Sequence, residues 1–287
     1  MSRTAATPLA IIKVDEFSCV KTEDFLAAEE PLEIRLGYGS SEIRQQKSIS
    51  VTMRTPGNDF ELAVGFLFTE GVIENIGQVA SIKHCNGLHE NVVRVELIDG
   101  LELDMSKLER NFYTTSSCGV CGKSSIEAVK TVCHLQEQVA DDLQFSSEVI
   151  YRLPDVLRQN QSVFNHTGGL HGCALFDNNE NLLLVREDVG RHNALDKLIG
   201  ASLQQNLFPL NKYLLLLSGR ASFELVQKAY MAGIKIVAAV GAPSSLAVEM
   251  ANDAGITLIG FLRGERFNIY TGEERISLRS YEAVGQE

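Results

Sequence analysis

The sequence predicts a mixed α/β protein in which an N-terminal α+β part precedes an α/β part built on a parallel sheet. Short segments of the first part alternate apolar and polar side chains, typical of half-buried strands, at residues 32–36, 49–53 and 93–97. The second part contains apolar runs with the length of buried strands, at residues 213–217, 234–240 and 256–262. Helical segments separate these runs. The resulting β-α-β-α-β order implies parallel strands with right-handed crossovers.

One helix is predicted within the first part, over residues 58–70. Asn58 can cap its N-terminus, and Glu61 stands three residues further on, as in a capping box. Gly71 is placed to end the helix. One helical face carries the apolar side chains of Leu62, Phe66 and Leu67. Two more helices are predicted further along the chain, at residues 124–132 and 147–159.

Two turns join the apolar runs of the second part, at residues 218–222 and 241–245. The helix after the first turn is predicted from three side chains on one face: Phe223, Val226 and Tyr230. Gly233 is placed to close it. A further strand is predicted at residues 182–185.

Composition limits the classes of function. The 287 residues are 45% hydrophobic and 22% charged, an ordinary globular composition. The formal net charge of −11 argues against broad nucleic-acid binding, which needs a basic surface. The uninterrupted apolar run at residues 213–217 is, like the other apolar runs, too short to span a bilayer, and residues 1–10 lack the apolar stretch of a signal peptide. We therefore expect a cytoplasmic protein that binds neither membranes nor nucleic acid.

Cys118 and Cys121 stand in a small, polar, glycine-bearing segment that is predicted to be a mobile loop opening into a helix. Lys123 and the start of that helix favour the thiolate, which is the nucleophilic form of cysteine. A thiolate of this kind suits attack on a persulfide donor and later release of the sulfur. The spacing leaves sulfur transfer and disulfide exchange undecided. The four other cysteines are isolated and predicted to be buried as small hydrophobes: Cys19, Cys85, Cys133 and Cys173.

A zinc site is disfavoured on two grounds. A structural site needs a second ligand pair, and no other cysteines or histidines show the paired spacing of a zinc ribbon. Residues 166–173 contain His166, His171 and Cys173, but a deaminase-type site also needs a His-x-Glu and a Pro-Cys-x-x-Cys motif, and both are missing. We expect no structural metal, and we interpret the glycines of this segment as a tight backbone wall.

The two turns are candidates for a phosphate site. Both follow predicted parallel strands, at whose carboxyl ends open α/β folds bind ligands, and both precede helix N-termini with free N–H groups. The first turn contains Ser218, Gly219 and Arg220, and a guanidinium suits forked phosphate contacts. Ordinary helix capping explains either turn alone. Two neighbouring turns with an arginine favour a phosphate-bearing ligand.

Two charged segments are predicted to reach the same edge. The first, at residues 186–197, contains Arg191, His192 and Asn193, and Asn193 together with Asp196 would be able to read a base or ribose edge. The second, at residues 261–270, places two arginines after the third parallel strand. The alternatives are a solvated charged face for the first and a charged hairpin connection for the second.

In combination, these segments resemble the formate dehydrogenase accessory sulfurtransferase family, FdhD. The resemblance covers nearly the whole chain, and its specificity comes from the joint order of motifs at residues 68–73, 117–123, 167–171, 187–197, 218–220, 241–245 and 263–264. It implies a larger domain similar to the cytidine-deaminase fold without its zinc ligands, and a homodimer. We accordingly expect an N-terminal α+β domain at residues 1–110, a mobile cysteine loop at 111–125 and a cytidine-deaminase-like α/β domain at 126–287.

The same resemblance implies the activity. Members accept sulfur from a cysteine desulfurase as a persulfide, which maps to Cys118 as the first cysteine of the pair with Cys121. They pass it to molybdenum bis(molybdopterin guanine dinucleotide), a bound substrate with a GDP-like moiety, before that cofactor enters the formate dehydrogenase apoenzyme. The family's cofactor-binding segment maps onto Phe261, Leu262, Arg263, Gly264, Glu265 and Arg266. A noncatalytic chaperone of the molybdenum cofactor is the alternative function.

Overall fold

The structure is a computed structural model that describes residues 4–85, 91–101, 103 and 143–278. Its six helices are α1 (Asp59–Thr69), α2 (Ser147–Asn160), α3 (Ser162–Thr167), α4 (Arg191–Gln204), α5 (Phe223–Met231) and α6 (Ser245–Asp253). Its first seven strands are β1 (Ala6–Val14), β2 (Cys19–Ala27), β3 (Glu30–Tyr38), β4 (Gln45–Arg54), β5 (Val79–His84), β6 (Val92–Leu97) and β7 (Phe145–Ser146). The other seven are β8 (His171–Phe176), β9 (Leu182–Asp188), β10 (Leu214–Leu217), β11 (Ile236–Ala239), β12 (Thr257–Arg263), β13 (Arg266–Thr271) and β14 (Ile276–Ser277).

The chain divides into two units that are each discontinuous in sequence. Of the described residues, the first unit holds those up to 103 together with 160–173 and 184–208. The second unit holds residues 143–159, 174–183 and 209–278. The mixed α/β class is therefore confirmed, while the predicted domain boundaries near residues 110 and 125 lie outside the described residues and stay predictions.

The first unit contains a four-stranded sheet in the order β4-β3-β6-β5. Strand β3 pairs antiparallel with β4 and parallel with β6, and β5 pairs antiparallel with β6. Alternation explains the buried face: Leu32, Ile34 and Leu36 of β3 are fully buried, whereas Glu33 and Arg35 between them are partly exposed and form a mutual ion pair. The predicted strands at residues 32–36, 49–53 and 93–97 are confirmed as parts of β3, β4 and β6.

Helix α1 confirms the helix predicted at residues 58–70, but not its predicted cap. Asn58 adopts a left-handed conformation with φ of 57° and makes no side-chain capping bond. The C-terminal prediction is confirmed, since Gly71 has φ of 70° and its N–H donates to the carbonyl of Phe68 at 2.9 Å. Most of the helix is buried, so it packs on nearly all sides rather than on the single predicted face.

Helices α1 and α4 cross with their backbones in close contact, and one glycine on each makes this possible. A β-carbon added to Gly65 would lie 1.8 Å from the carbonyl oxygen of Asp196, and one added to Gly200 would lie 1.9 Å from that of Glu61. Neither distance is compatible with a side chain. The two glycines therefore fix how closely α4 approaches α1.

The second unit contains the predicted parallel stretch. Strands β10, β11 and β12 pair parallel to one another, and β13 pairs antiparallel with β12. The full order of this sheet is β13-β12-β11-β10-β8-β9. Of its last two strands, residues 174–176 and 182–183 are assigned to the second unit. Every residue of β10 and β11 is buried, as continuous apolar runs predict. Helices α5 and α6 supply the two crossovers, and Gly233 follows α5 with φ of 78°.

Three further predictions have mixed outcomes. The helix predicted at residues 147–159 is α2, and the strand predicted at 182–185 is the start of β9. The helix predicted at 124–132 lies outside the described residues. Within the described ranges, none of the helices combines the length and the apolar character needed to cross a membrane.

Candidate functional site

The predicted sulfur-carrying pair, Cys118 and Cys121, lies outside the described residues, as does Cys133. Of the other three cysteines, Cys173 is buried, Cys85 is intermediate and Cys19 is exposed. Burial raises the pKa of the Cys173 thiol far above its usual range, and the carboxylates of Asp196 and Asp188 add to this, so Cys173 stays protonated and unreactive. The prediction that isolated cysteines are buried is confirmed for Cys173 and wrong for Cys19, which stands near the tip of a solvent-exposed hairpin.

Three loops at the carboxyl ends of β10, β11 and β12 lie side by side in the second unit. The N–H of Gly241, after β11, donates to the carbonyl of Gly219, after β10, at 2.9 Å. The carbonyl of Gly241 in turn accepts from the N–H of Phe261, in β12, at 3.0 Å. Parallel strands end at one edge of a sheet, so backbone hydrogen bonds join the predicted turns and the predicted cofactor segment into one surface, which we call the strand-end surface.

Gly241 is essential to this arrangement because of the space beside it. A β-carbon at Gly241 would lie 3.0 Å from the backbone nitrogen, Cα and Cγ of Arg220, which is tighter than ordinary packing allows. The missing side chain lets the backbone of Arg220 lie directly against the neighbouring turn. The Arg220 side chain is exposed, so its guanidinium is directed to solvent at the strand-end surface.

The segment from Phe261 to Arg266 forms the end of β12 and the start of β13. Arg263 and Arg266 are cross-strand partners, and Gly264 between them has φ of 55°, so the two-residue connection is the charged hairpin that was one alternative for this segment. The exposed members are Phe261, Arg263, Gly264, Glu265 and Arg266, whereas Leu262 is fully buried. Leu262 therefore contributes packing and offers no side-chain surface to a ligand.

Phe261 has an unusual backbone conformation for an aromatic residue. Its φ is 54°, in the left-handed region that disfavours side chains with a β-carbon. Its side chain is 40% exposed. A strained, exposed aromatic next to two arginines fits a surface for a flat ring with phosphates, because strain of this kind is concentrated at functional sites.

The two helix N-termini behind the strand-end surface differ in their capping. Ser244 accepts a hydrogen bond from the N–H of Ala247 at 3.2 Å, so α6 has a side-chain cap. Ser222, at the N-cap of α5, makes no such bond, and its buried hydroxyl has no partner among the described residues. The phosphate-binding prediction for the turn at residues 218–222 is therefore compatible with free donors at α5, whereas ordinary capping accounts for the turn before α6.

The charged segment at residues 186–197 belongs to the first unit and is largely turned inward. Asp188 and Lys197 form a fully buried ion pair of 2.7 Å. Asp188 also accepts from the N–H groups of Thr55 and Gly190 at 3.1 and 2.8 Å. Lys197 donates to the carbonyl of Thr55 at 2.8 Å. Multiple hydrogen bonds of this kind are what a buried ion pair requires, so these charges hold the start of α4 against the end of β4.

Asn193 and Asp196 are part of the same interior. The amide nitrogen of Asn193 donates to the carbonyl of Met53 at 2.8 Å and to Asp188 at 3.1 Å. Asp196 is 2% exposed and accepts from the hydroxyl of Thr69 at 2.8 Å. With these partners in place, neither side chain is available to read a base or ribose edge. The assignment of Asn193 to cofactor binding stays a prediction that this geometry does not favour.

Arg191 and His192 begin helix α4 and are partly exposed. Sequence reasoning considered His171, the first residue of β8, only as a zinc ligand and did not place it beside these two residues. Burial lowers the pKa of His171 below its ordinary value of 6.5, and the nearby positive groups of Arg191 and His192 lower it further. The buried Nε of Arg191 has no hydrogen-bond partner within the described part of the chain. The guanidinium of Arg191 and the ring of His192 therefore lie where α4 presents its N-terminal N–H groups, an arrangement that favours an anion.

The prediction that the chain has no zinc site concerned residues 166–173, which include His166 and His171. Within residues 4–85, 91–101, 103 and 143–278, no three side chains of His, Cys, Asp or Glu are grouped as a metal site would need. His166 bonds to the carbonyl of Ser162 at 2.7 Å, so one of its ring nitrogens is occupied locally.

Comparisons with known proteins agree across nearly the full length. The chain matches the model of the FdhD/NarQ family over residues 27–277. It is 49% identical to "Sulfur carrier protein FdhD" of Streptomyces avermitilis, over 96% of this chain and 97% of that protein. Proteins with the same description from Mycolicibacterium paratuberculosis and Sulfolobus acidocaldarius are 52% and 43% identical, over 88% and 93% of this chain and 91% and 97% of those proteins.

The fold is also similar to a solved structure. A crystal structure described as a formate dehydrogenase accessory protein from Desulfotalea psychrophila superposes with a TM-score of 0.70, over 96% of this chain and all of that chain. The sequence identity is 22%, so this similarity bears on the fold alone.

Proposed function

The chain belongs to the FdhD/NarQ family, and from this we infer that it is a sulfur carrier that holds sulfur as a persulfide on Cys118 and delivers it to the molybdenum cofactor of formate dehydrogenase. The observation that carries the proposal is the similarity, over almost the entire chain, to proteins described as sulfur carriers. The matched residues include Cys118 and Cys121. The donor is a cysteine desulfurase, and the recipient is the cofactor before it enters the formate dehydrogenase apoenzyme.

Loading is a thiol exchange without net oxidation. The Cys118 thiolate attacks the outer sulfur of the desulfurase persulfide. A new S–S bond forms at Cys118, the S–S bond of the donor breaks, and the donor cysteine leaves as a thiolate. Lys123 and the predicted helix N-terminus support this step because both favour the thiolate, the form that attacks.

Release requires electrons. The carried sulfur is at the oxidation level of elemental sulfur, so its transfer as sulfide consumes two electrons. Cys121 can supply them: its thiolate attacks the sulfur of Cys118, a Cys118–Cys121 disulfide forms, and the outer sulfur leaves as hydrosulfide to the molybdenum cofactor. A dithiol reductant then restores both thiols.

The cofactor is a substrate with anionic guanine nucleotide groups, and two surfaces suit it. At the strand-end surface, the side chains of Arg220, Arg263 and Arg266 are exposed, and the N-terminus of α5, which follows the turn of Arg220, has no side-chain cap. Forked phosphate contacts are possible for these guanidinium groups. In the first unit, Arg191 offers positive charge and His192 a hydrogen-bonding ring at the N-terminus of α4. Local positive charge is what matters here, so the acidic net charge of −11 does not oppose the proposal.

The deciding experiment is intact mass spectrometry after incubation with a cysteine desulfurase and cysteine. One sulfur should be added, removable by reduction, present in Cys121→Ala and absent in Cys118→Ala. Cys19→Ala is the matched control, because Cys19 is the exposed cysteine of the described chain and its removal should leave loading intact. No added sulfur on any variant, with an active desulfurase, would instead favour the noncatalytic cofactor chaperone.

The binding half of the proposal has a separate test. GDP serves as the probe for the GDP-like moiety, and its affinity is measured by calorimetry. Arg263→Gln should weaken GDP binding about 5- to 30-fold, the effect of one charge-assisted hydrogen bond of about 1–2 kcal/mol. Lys212→Gln, at an exposed lysine of the same unit, should leave the affinity unchanged. Equal affinities for both variants would remove the strand-end surface from the proposal.

The remaining parts of the proposal concern architecture and context. We propose that the larger domain has a cytidine-deaminase-like arrangement without zinc ligands, that the protein is a cytoplasmic homodimer, and that it contacts the desulfurase and the apoenzyme in turn. The family membership supports these statements. Co-purification of the desulfurase with the chain, lost on dilution into high salt, is the corresponding measurement.

A further inference from the structure

The N-terminal hairpin of β1 and β2 stands apart from the other sheets. The two strands pair only with each other in the described chain, along nine residues each. Every residue of β2 except Ala27 is exposed. Large apolar side chains of the hairpin face solvent, namely Leu9, Ile12, Val14, Phe17, Val20, Phe25 and Leu26. A two-stranded sheet is marginally stable by itself, and an exposed apolar patch of this kind marks an interaction surface.

The free edge of β2 has a defined set of hydrogen-bonding groups. At the two ends of the hairpin, the N–H of Asp15 donates to the carbonyl of Ser18, and the N–H of Ala28 donates to the carbonyl of Ala5. Antiparallel pairs alternate between bonded and non-bonded residues, so the even-numbered residues of β2 bond to β1. The odd-numbered residues then direct their N–H and C=O groups outward. The N–H of Phe25 agrees with this, because it donates to its neighbour Asp24 and not to β1.

A second copy of the chain can complete this edge, and the charges at residues 21 and 23 favour one register over its two neighbours. In a two-fold symmetric antiparallel pair of β2 strands, the axis lies midway between the two copies of one residue, which face each other. An axis at Lys21 opposes two lysines, and an axis at Glu23 opposes two glutamates, both unfavourable. An axis at Thr22 places Lys21 opposite Glu23 of the second copy, twice per dimer. Lysine on an exposed edge normally discourages pairing, but this register turns it into an attraction.

We propose that β2 pairs with β2 of a second copy about a two-fold axis at Thr22, which gives a continuous four-stranded sheet. The outward groups of Lys21 and Glu23 then form backbone hydrogen bonds, and Thr22 faces its own counterpart. The tip residue Phe17, 95% exposed in the single chain, comes opposite Ala27 at the base of the other hairpin. Helix α3 packs near that base, where Gly169 lies beside Ala27. This inference rests on the homodimer proposed above and is independent of the sulfur chemistry.

Cysteine cross-linking tests the axis directly. Facing residues of a non-bonded antiparallel pair have Cα atoms about 4.5 Å apart, within the range for a disulfide. In a Cys19→Ala background, Thr22→Cys should form a covalent dimer on mild oxidation of the full chain. Ile12→Cys in the same background is the matched control, because β1 lies on the far side of each hairpin and should give no cross-link. Cross-linking through position 12 and not 22 would overturn the proposal.

Charge exchange tests the register. Lys21→Glu and Glu23→Lys each replace two attractive pairs by two repulsive ones, so each should raise the dimer dissociation constant about 5- to 30-fold. The double variant exchanges the charges and should restore the constant to within about threefold of the starting protein. Sedimentation velocity over a concentration series measures all four proteins. A starting protein that is monomeric throughout, or single variants that dimerise like it, would refute the pairing.

Discussion

Gly65→Ala tests the contact between helices α1 and α4 most severely. The added β-carbon would lie 1.8 Å from the carbonyl oxygen of Asp196 and 2.9 Å from the backbone nitrogen of Gly200. Both neighbours are backbone atoms of a buried helix, so no side-chain rotation relieves the clash. To reach ordinary contact distances, the two helices would have to separate by more than about 1 Å.

Two opposing free energies decide whether Gly65→Ala stabilises or destabilises the protein. Alanine is favoured over glycine in a helix by about 1 kcal/mol, whereas overpacking of a close-packed interior costs about 3 kcal/mol at the upper end of its usual range. We therefore expect Gly65→Ala to lower the free energy of unfolding by about 2 kcal/mol. Gly200→Ala should have a similar effect, and the double variant should cost less than the sum, because both side chains need the same separation.

Urea unfolding followed by circular dichroism measures this change as a shift of the midpoint at constant slope. Gln204→Ala is the control within α4, since Gln204 is exposed and its replacement should alter stability by less than about 0.5 kcal/mol. A Gly65→Ala protein as stable as the starting protein, or more stable, would refute the close-contact interpretation. The helix preference of alanine would then match or exceed the cost of overpacking.

Three other outcomes are expected. Lys197→Ala leaves the carboxylate of Asp188 buried without its counter-ion and should cost about 3–5 kcal/mol in urea unfolding, whereas the double replacement Asp188→Asn, Lys197→Met should recover a substantial part. Because the pKa of His171 is lowered in the folded protein, the unfolded chain binds a proton at this residue first as the pH decreases. The free energy of unfolding should therefore fall below about pH 6.5. His171→Gln should flatten that decrease, and a pH profile of unfolding unchanged in this variant would contradict the assignment. Phe261→Gly relieves the left-handed conformation and should raise stability by about 1 kcal/mol while weakening GDP binding in calorimetry; tighter binding would remove Phe261 from the proposed surface.

The parallel strands of the second unit could be predicted because the sequence pattern of each strand lies within the strand itself and its adjoining turns. Each buried strand is a continuous apolar run, and each is bounded by a turn with glycine or serine. The predicted strand at residues 213–217 accordingly differs from β10 by one residue. The hairpin of β1 and β2 gives no such signal, since its strands lack alternation and are exposed on both faces. Its formation depends on pairing, which a single segment does not encode.

The surroundings of the charged segment at residues 186–197 could not be predicted from the sequence. Its density of charge suggests a solvated face or a ligand site, and the ambiguity cannot be removed from sequence. The backbone N–H and carbonyl of Thr55, more than 130 residues earlier in the chain, form hydrogen bonds with the buried side chains of Asp188 and Lys197. A charge is buried only where such partners exist. The position of Arg191 and His192 at a helix start can be predicted from the sequence, whereas His171 lies near them only through tertiary structure.

The buried pair of Asp188 and Lys197 also bears on how a ligand would be held at Arg191 and His192. Both residues sit on the first turn of α4. The residues on either side of that turn, Asp188, Val189 and Lys197, are joined to Thr55, after β4, by hydrogen bonds in both directions. The backbone there is thus ordered before any anion arrives. Binding would restrict only two side chains, so most of the conformational entropy that loosely held loops lose on binding has already been lost during folding. A nucleotide-bearing substrate would meet a receptor that needs little rearrangement.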